Sequence, residues 1–315
     1  MKMRHVGRSG LRLSTVGLGC NNFGWKIDEP ASQKVVDKAY DVGISIFDTA
    51  DFYGVKPGDS EAVLGNVMKG RRREITLITK FGVDTAGDGS VRNSSRAYIN
   101  RALEDSLRRL KTDWIDVYMI HWPDYQTPME ETLRALEDII RAGKAHYIAV
   151  SNLEIWRTVD AAWASKHLGV AGFIAAEDEY SLLNRGAEKD VIAALQHLGM
   201  GLLPYFPLAS GLLTGKYTRS GAKGTGRLSE NFLGLANAFM TERNLGIAQR
   251  LDAFANARGH TLLELAVSWL AAQPVVSSVI CGATTAEQVE QNVAAANWEL
   301  TPEDLAEIDK LTKDS

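Results

Sequence analysis

Cysteine is almost missing from this chain: Cys20 and Cys281 are the only two in 315 residues. Two cysteines so far apart in sequence supply neither a disulfide framework nor a Cys-x-x-Cys metal spacing, and they point to a reducing compartment. The opening Met1-Lys2-Met3-Arg4-His5-Val6 lacks the apolar core of a signal peptide. No stretch approaches the ~20 apolar residues of a membrane span, so the cytoplasm is the expected location and no membrane partner is expected. None of the six histidines, at 5, 121, 146, 167, 197 and 260, forms a His-x-x-x-His pair, so no metal is expected. Gly-x-Ser-x-Gly is absent too, which removes the commonest serine-hydrolase signal. With a formal net charge of −4 and both signs interleaved, the chain carries no basic field for nucleic acid. The run Lys69-Gly70-Arg71-Arg72-Arg73 reads as a solvated helix end.

What is present is a large apolar fraction, 45%, enough to bury a sizeable core in one domain spanning 1–315. A hairpin is expected at the N-terminus, turning at Arg8-Ser9-Gly10. Short apolar runs then alternate with helical-period segments eight times. The strands are expected at 15–18, 45–47, 75–79, 115–120, 145–150, 173–175, 201–204 and 277–280. The helices are expected near 31–42, 60–68, 95–110, 129–142, 154–167, 187–198, 261–272 and 286–296. Over 98–110 the apolar positions 99, 102, 103, 107 and 110 form one stripe, with the charged face opposite left to water. Eight strand-then-helix units with right-handed crossovers favour an α/β fold, a (β/α)8 barrel, over an open sheet. Residues 205–240 lack a clear period and read as a long lid or binding loop. A capped helix from Thr301 to Leu311 closes the chain, placed to cover a barrel mouth or base.

Asp48 follows Ile44-Ser45-Ile46-Phe47, Lys80 follows Ile75-Thr76-Leu77-Ile78-Thr79, and His121 follows Ile115-Asp116-Val117-Tyr118-Met119-Ile120. Tyr53 lies just beyond Asp48. Each polar group thus sits at the carboxyl end of a strand, where chemistry gathers in α/β folds. In a barrel, the second, third and fourth strands are neighbours and the four side chains converge. Taken singly they have ordinary structural explanations: a loop cap, a half-buried aromatic, a strand-end charge, a core histidine. Together they form an acid/base site in which Lys80 is expected to lower the Tyr53 pKa, Asp48 to hold Lys80, and His121 to orient a reacting oxygen. A dinucleotide fold of the other kind is disfavoured, because Gly17-Leu18-Gly19-Cys20-Asn21-Asn22 has Asn where the third glycine of G-x-G-x-x-G belongs. That segment reads as a tight turn. Trp25, Phe52 and Trp122 fall in loops at the same end and are candidates for a substrate-pocket wall.

Asp48-Thr49-Ala50 with Tyr53-Gly54, Ser60-Glu61, Thr79-Lys80 and Asp116 to Pro123 resemble the aldo-keto reductase family. So do Gly7 to Leu11, Val150-Ser151-Asn152, Glu179 to Leu183, Leu208 to Lys216 and Gly282 to Thr285. The resemblance spans nearly the whole chain. It implies reduction of aldehydes or ketones to alcohols with NADPH, with NAD possible, and Tyr53 as general acid/base assisted by Asp48, Lys80 and His121. It further implies that Ser151, Asn152 and Glu177 meet the nicotinamide carboxamide and that Tyr205 stacks on the ring. Leu208, Gly211 and Lys216 would follow the pyrophosphate, and Gly282, Ala283, Thr284, Gln288 and Asn292 would surround the adenosine end. Two positions depart from the family pattern. Glu177 stands where Gln is frequent and either turns away or binds differently. Gln288 stands where Arg is frequent, with Lys216 or Arg227 left to meet a 2'-phosphate. A redox-sensing regulatory subunit with negligible turnover is the alternative within the same family. Partners are expected to be small carbonyl compounds and alcohols; the oligomeric state leaves no mark in the sequence.

Overall fold

The computed structural model describes residues 1–85, 89–218, 221–222, 226–229 and 234–313. A hairpin of β1 (Met3–His5) and β2 (Arg12–Ser14) opens the chain. The central sheet then collects β3 (Val16–Gly19), β4 (Ile46–Asp48), β5 (Thr76–Phe81), β6 (Ile115–Ile120), β7 (Ala145–Ser151), β8 (Ala175–Glu177) and β9 (Gly201–Leu202). A two-stranded ribbon, β10 (Tyr217–Thr218) with β11 (Gly221–Ala222), precedes the eighth barrel strand, β12 (Val279–Gly282). All eight sheet strands run parallel in the order β12-β3-β4-β5-β6-β7-β8-β9. Leu202 also bridges in parallel to Val276, its N–H donating to the Val275 carbonyl at 2.8 Å while the Ser277 N–H donates to the Leu202 carbonyl at 2.8 Å. That bridge joins the two edges, and the sheet is the (β/α)8 barrel expected from the alternation.

The strands are buried on both faces, which is why β6 reads as nearly unbroken apolar sequence. Ile46, Ile78, Val117, Met119, Ala149, Ala175, Leu203 and Ile280 fill the barrel interior together with Val6 and Leu13 of the hairpin. The hairpin therefore plugs the amino-terminal end, tied by the Arg8 N–H to the Gly199 carbonyl at 2.8 Å. Within the segment 17–22, Gly17 to Gly19 belong to strand β3 and the turn begins only after Cys20, where the Phe23 N–H donates to the Cys20 carbonyl at 3.0 Å. A Cβ on Gly17 would lie 2.8 Å from Ile280 Cδ1 and 2.9 Å from Ile46 Cγ2, so the residue is small to let the barrel interior close.

Outside the strands lie α1 (Glu29–Asp41), α2 (Asp59–Val67), α3 (Arg96–Leu110), α4 (Met129–Arg141), α5 (Ile155–Leu168), α6 (Val191–Leu198), α7 (Leu235–Phe239), α8 (Glu242–Asn256), α9 (Leu262–Ala272), α10 (Ala286–Ala294) and α11 (Pro302–Thr312). The helix expected over 187–198 divides into a short 3-10 turn, Gly186–Glu188, and α6, because Asp190 leaves the helical region at φ −148°. Two strands lie two residues later than expected, β8 and β12. The interval 205–240 is partly built, with a 3-10 segment at Ala209–Thr214, the ribbon and α7; 219–220, 223–225 and 230–233 lie outside the described residues. Helix α8 was not expected at all. Its buried face carries Leu245, Ile247, Leu251 and Phe254 with alanines at 248 and 255. Thr301 and Asp304 form the reciprocal cap expected for α11. This helix lies along α8, with the Arg250 guanidinium donating to the Leu311 carbonyl at 3.0 Å and Arg258 paired with Asp304 at 2.8 Å.

Candidate active site

The barrel's hydrogen-bond ladder delivers the four expected side chains to one place. The Asp51 N–H donates to the Lys80 carbonyl at 3.2 Å and the His121 N–H to the Phe81 carbonyl at 2.7 Å, so each loop leaves its strand tied to its neighbour. The Lys80 ammonium, fully buried, donates to Asp48 Oδ1 at 2.5 Å and to the Thr49 carbonyl at 3.1 Å. It lies 5.2 Å from the Tyr53 ring centre, and the His121 ring meets the Tyr53 ring edge-on at 5.5 Å. A fifth group joins them. Glu177 ends β8, and its Oε1 is 3.5 Å from the same ammonium.

Charges in this enclosure shift together. Burial pushes the Lys80 ammonium down, but Asp48, Glu177 and Tyr53 outweigh it and hold its pKa above the ordinary lysine value. Burial raises the Asp48 carboxyl against the pull of Lys80. Burial first and Asp48 second push the Glu177 carboxyl up to about 8. His121 is driven well below its usual value by burial and then by Lys80 and Arg92, so its imidazole is neutral near pH 7. Tyr53 corrects an expectation. It keeps part of its surface open at the barrel mouth, yet burial raises its phenol above the ordinary value, and the downward pull of Lys80 does not offset this. The phenol is therefore a firmly protonated donor, with a cation in place to receive it as phenolate.

A buried polar tier supports the tetrad from outside the barrel. Ser60 Oγ donates to the Cys20 carbonyl at 2.8 Å and lies 2.8 Å from Thr49 Oγ1. Thr79 Oγ1 donates to Glu61 Oε1 at 2.5 Å, and Arg109 donates to Glu61 Oε2 through Nε at 2.7 Å. Arg109 sits on α3, on the face expected to meet water; instead it reaches inward to a fully buried carboxylate. The Ser60-Glu61 dipeptide was visible in the sequence, whereas its partner 48 residues later carried no local signal.

The remaining candidates fall into three groups around the mouth. The Asn152 amide donates to the His121 carbonyl and to Ser151 Oγ, each at 3.0 Å, and its Oδ1 accepts from the Tyr205 hydroxyl at 2.8 Å. Ser151 pairs in register with Glu177 and donates to its backbone carbonyl at 2.8 Å. Ser151, Asn152, Glu177 and Tyr205 thus form one patch beside the tetrad. Leu208 accepts the Gly211 N–H at 2.8 Å, and a Cβ on Gly211 would lie 3.4 Å from Lys216 Cε. Positive φ at Asn152, Phe206, Ala209 and Ser210 concentrates backbone strain at this end of the barrel. The third group surrounds the start of α10: Gln288 Oε1 accepts from the Thr284 N–H at 2.8 Å, and Asn292 donates to the Gly282 carbonyl at 3.4 Å.

Asn22, not among the expected contacts, links these groups. Its amide donates to the Ala283 carbonyl at 3.4 Å and its Oδ1 accepts from Arg227 at 2.7 Å. Arg227 also lies over the Trp25 ring at 5.5 Å, so it is engaged at Asn22 and not at Gln288. Phe52 and Trp122 are 38% and 39% exposed at the mouth, with Trp122 beside the His121 ring at 6.3 Å and under Arg92 at 5.5 Å. Among the described residues no cluster of three metal-ligating side chains occurs, and no helix is long and apolar enough to cross a membrane.

A buried ammonium against a phenol and a neutral imidazole can protonate an oxygen and steady the charge left behind, which is the chemistry of carbonyl reduction. Comparison with known proteins agrees with that chemistry. Residues 15–313 match the family model described as Aldo/keto reductase family. The chain is 35% identical over 320 residues to L-glyceraldehyde 3-phosphate reductase of Escherichia coli (strain K12), covering 98% of this chain and 92% of that protein. An uncharacterized oxidoreductase of Bacillus subtilis (strain 168) is 35% identical over 97% of this chain and 94% of its own length. A probable voltage-gated potassium channel subunit beta of Oryza sativa subsp. japonica is 33% identical over 99% and 97%.

Proposed function

This chain belongs to the aldo/keto reductase family, and from that premise we propose that it is an NADPH-dependent oxidoreductase that reduces small aldehydes or ketones to alcohols, reversibly and without metal. The observation that carries the proposal is the buried Asp48–Lys80 pair set under Tyr53, with His121 at the ring edge.

The residues present suit a dinucleotide. Glu177 Oε2, His121 Nδ1 and Ser210 Oγ are buried without hydrogen-bond partners. Lys216 and Arg227 supply positive charge along the same end, and the first turn of α10, capped by Thr285, presents N–H groups beside Gly282. Ser151, Asn152, Glu177 and Tyr205 would hold the nicotinamide, Leu208, Gly211 and Lys216 the pyrophosphate, and Gly282, Ala283, Thr284, Gln288 and Asn292 the adenosine end. Bound NADPH supplies the hydride. Tyr53 gives its proton to the carbonyl oxygen, and Lys80 stabilises the resulting phenolate while Asp48 fixes the ammonium. Neutral His121 donates its N–H to the same oxygen and keeps it over Tyr53. In the oxidative direction the phenolate takes the alcohol proton. Trp25, Phe52 and Trp122 would wall the substrate pocket. A cytoplasmic setting suits the two free thiols.

The relatives named as potassium channel subunits favour a second reading, a redox-sensing subunit that binds the nucleotide with negligible turnover. Titration of the intrinsic tryptophan fluorescence with NADPH and NADH, followed by NADPH oxidation with a panel of aldehydes, ketones, sugars and a phosphorylated triose, separates the two. Turnover with at least one carbonyl is expected. Tight binding with turnovers only over many minutes on every compound would favour the sensor, and equal affinities for NADPH and NADH would remove the preference for NADPH.

A further inference from the structure

Glu177 is the group that the tetrad chemistry does not use. It is 3% exposed, its Oε1 shares the Lys80 ammonium with Asp48, and its Oε2 finds no hydrogen-bond partner. One buried ammonium faces two buried carboxyls, and Asp48 holds the shorter contact, 2.5 Å against 3.5 Å. A second carboxylate with a bare oxygen in this enclosure is costly, and a neutral carboxylic acid there costs far less. The charged and titratable groups facing Glu177 are Asp48 from β4, Lys80 from β5, Tyr53 from the loop after β4, Asp178 beside it, and Tyr205 beyond β9. The shorter ion pair favours the charge on Asp48, and burial together with Asp48 favours the acid at Glu177.

Resting on the nicotinamide reading above, we propose that Glu177 couples the charge of the nicotinamide ring to one proton: it stays a neutral acid beside the reduced ring and ionises, releasing its proton to solvent, when the oxidised, cationic ring binds. Gln at this position has no proton to exchange, so the coupling is a property of the acid. The sign follows from linkage. A ligand that binds the ionised form better binds more tightly as pH rises toward the free-protein pKa, which burial and Asp48 set at about 8. The reduced ring is uncharged and favours the acid, so its affinity is flat or falls over the same range.

The test is nucleotide binding from pH 6 to 9.5, followed by tryptophan fluorescence and by calorimetry in buffers of different ionisation heat. The readout is the ratio of the NADPH to the NADP⁺ dissociation constant, in which titration of the shared phosphates cancels. The expected result is a ratio that rises ~10-fold or more between pH 6 and 8.5, with up to ~1 proton released per NADP⁺ bound. In Glu177→Gln the ratio is expected to be flat and proton release lost, which also separates Glu177 from Asp178. Binding of both nucleotides with a pH-independent ratio, or a slope retained in Glu177→Gln, overturns this proposal alone. Failure of either nucleotide to bind removes the nicotinamide reading and the proposal together. Should Glu177→Gln not fold, proton release by the unaltered protein decides: release of NADP⁺-linked protons supports it and their absence overturns it.

Discussion

Arg109→Met tests the buried tier that carries the tetrad. Glu61 is fully buried, and its Oε2 takes both Nε and an outer nitrogen of Arg109, at 2.7 and 2.6 Å, while Oε1 takes only the Thr79 hydroxyl. Removing the guanidinium leaves a buried carboxylate with one donor, a loss of about 3–5 kcal/mol for breaking such a pair. The deficit is therefore expected to be about 3–5 kcal/mol at pH 8. Urea denaturation of both proteins at that pH measures it, and Arg109→Met with Glu61→Gln should recover at least half the loss, because the neutral amide no longer needs a cation. A deficit under ~1 kcal/mol, or no recovery in the double variant, would refute the reasoning.

Gly65→Ala is expected to destabilise by about 1–3 kcal/mol in denaturation, although Ala is the better helix former, because the new Cβ would lie 2.4 Å from the Arg109 carbonyl and force α2 from α3. A stabilised variant would show that this approach is looser than described. Thr261→Ala breaks the reciprocal cap with Glu264 and should cost about 1 kcal/mol while leaving turnover unchanged, since α9 begins far from the tetrad in the chain. Burial raises the Cys281 thiol to about 12 and lifts the Cys20 thiol well above its ordinary value. Neither should react with a thiol reagent at pH 8 in the native protein, and both should react in denaturant; rapid native labelling would contradict their burial.

The barrel and the tetrad were legible because both are written locally. Strand-length apolar runs announce the sheet, and Asp48, Lys80 and His121 directly follow three of them, so an apolar run ending in a polar residue carries fold and site at once. The outer tier was not legible. Arg109 lies on an amphipathic helix whose other charges do face water, and nothing along α3 marks the one that turns inward to Glu61. Helix α8 was missed although Leu245, Leu251 and Phe254 are buried along it, a stripe that the sequence carried. The direction of the Tyr53 shift also needed coordinates, because the sequence names Lys80 as a neighbour while the opposing effect, burial, depends on everything else packed around the ring. Asn22 illustrates the same limit, since its contacts with Ala283 and Arg227 cross more than 200 positions.

Reduction of a carbonyl through the Tyr53 phenol is tested most directly by a single-turnover experiment, in which protein loaded with NADPH is mixed with an aldehyde that the unaltered protein reduces and the loss of nicotinamide absorbance is followed. Tyr53→Phe should bind NADPH almost as tightly and react ~100-fold or more slowly, the scale of a general-acid contribution. Hydride transfer within about twofold of the unaltered protein would place the proton donor elsewhere and contradict the account.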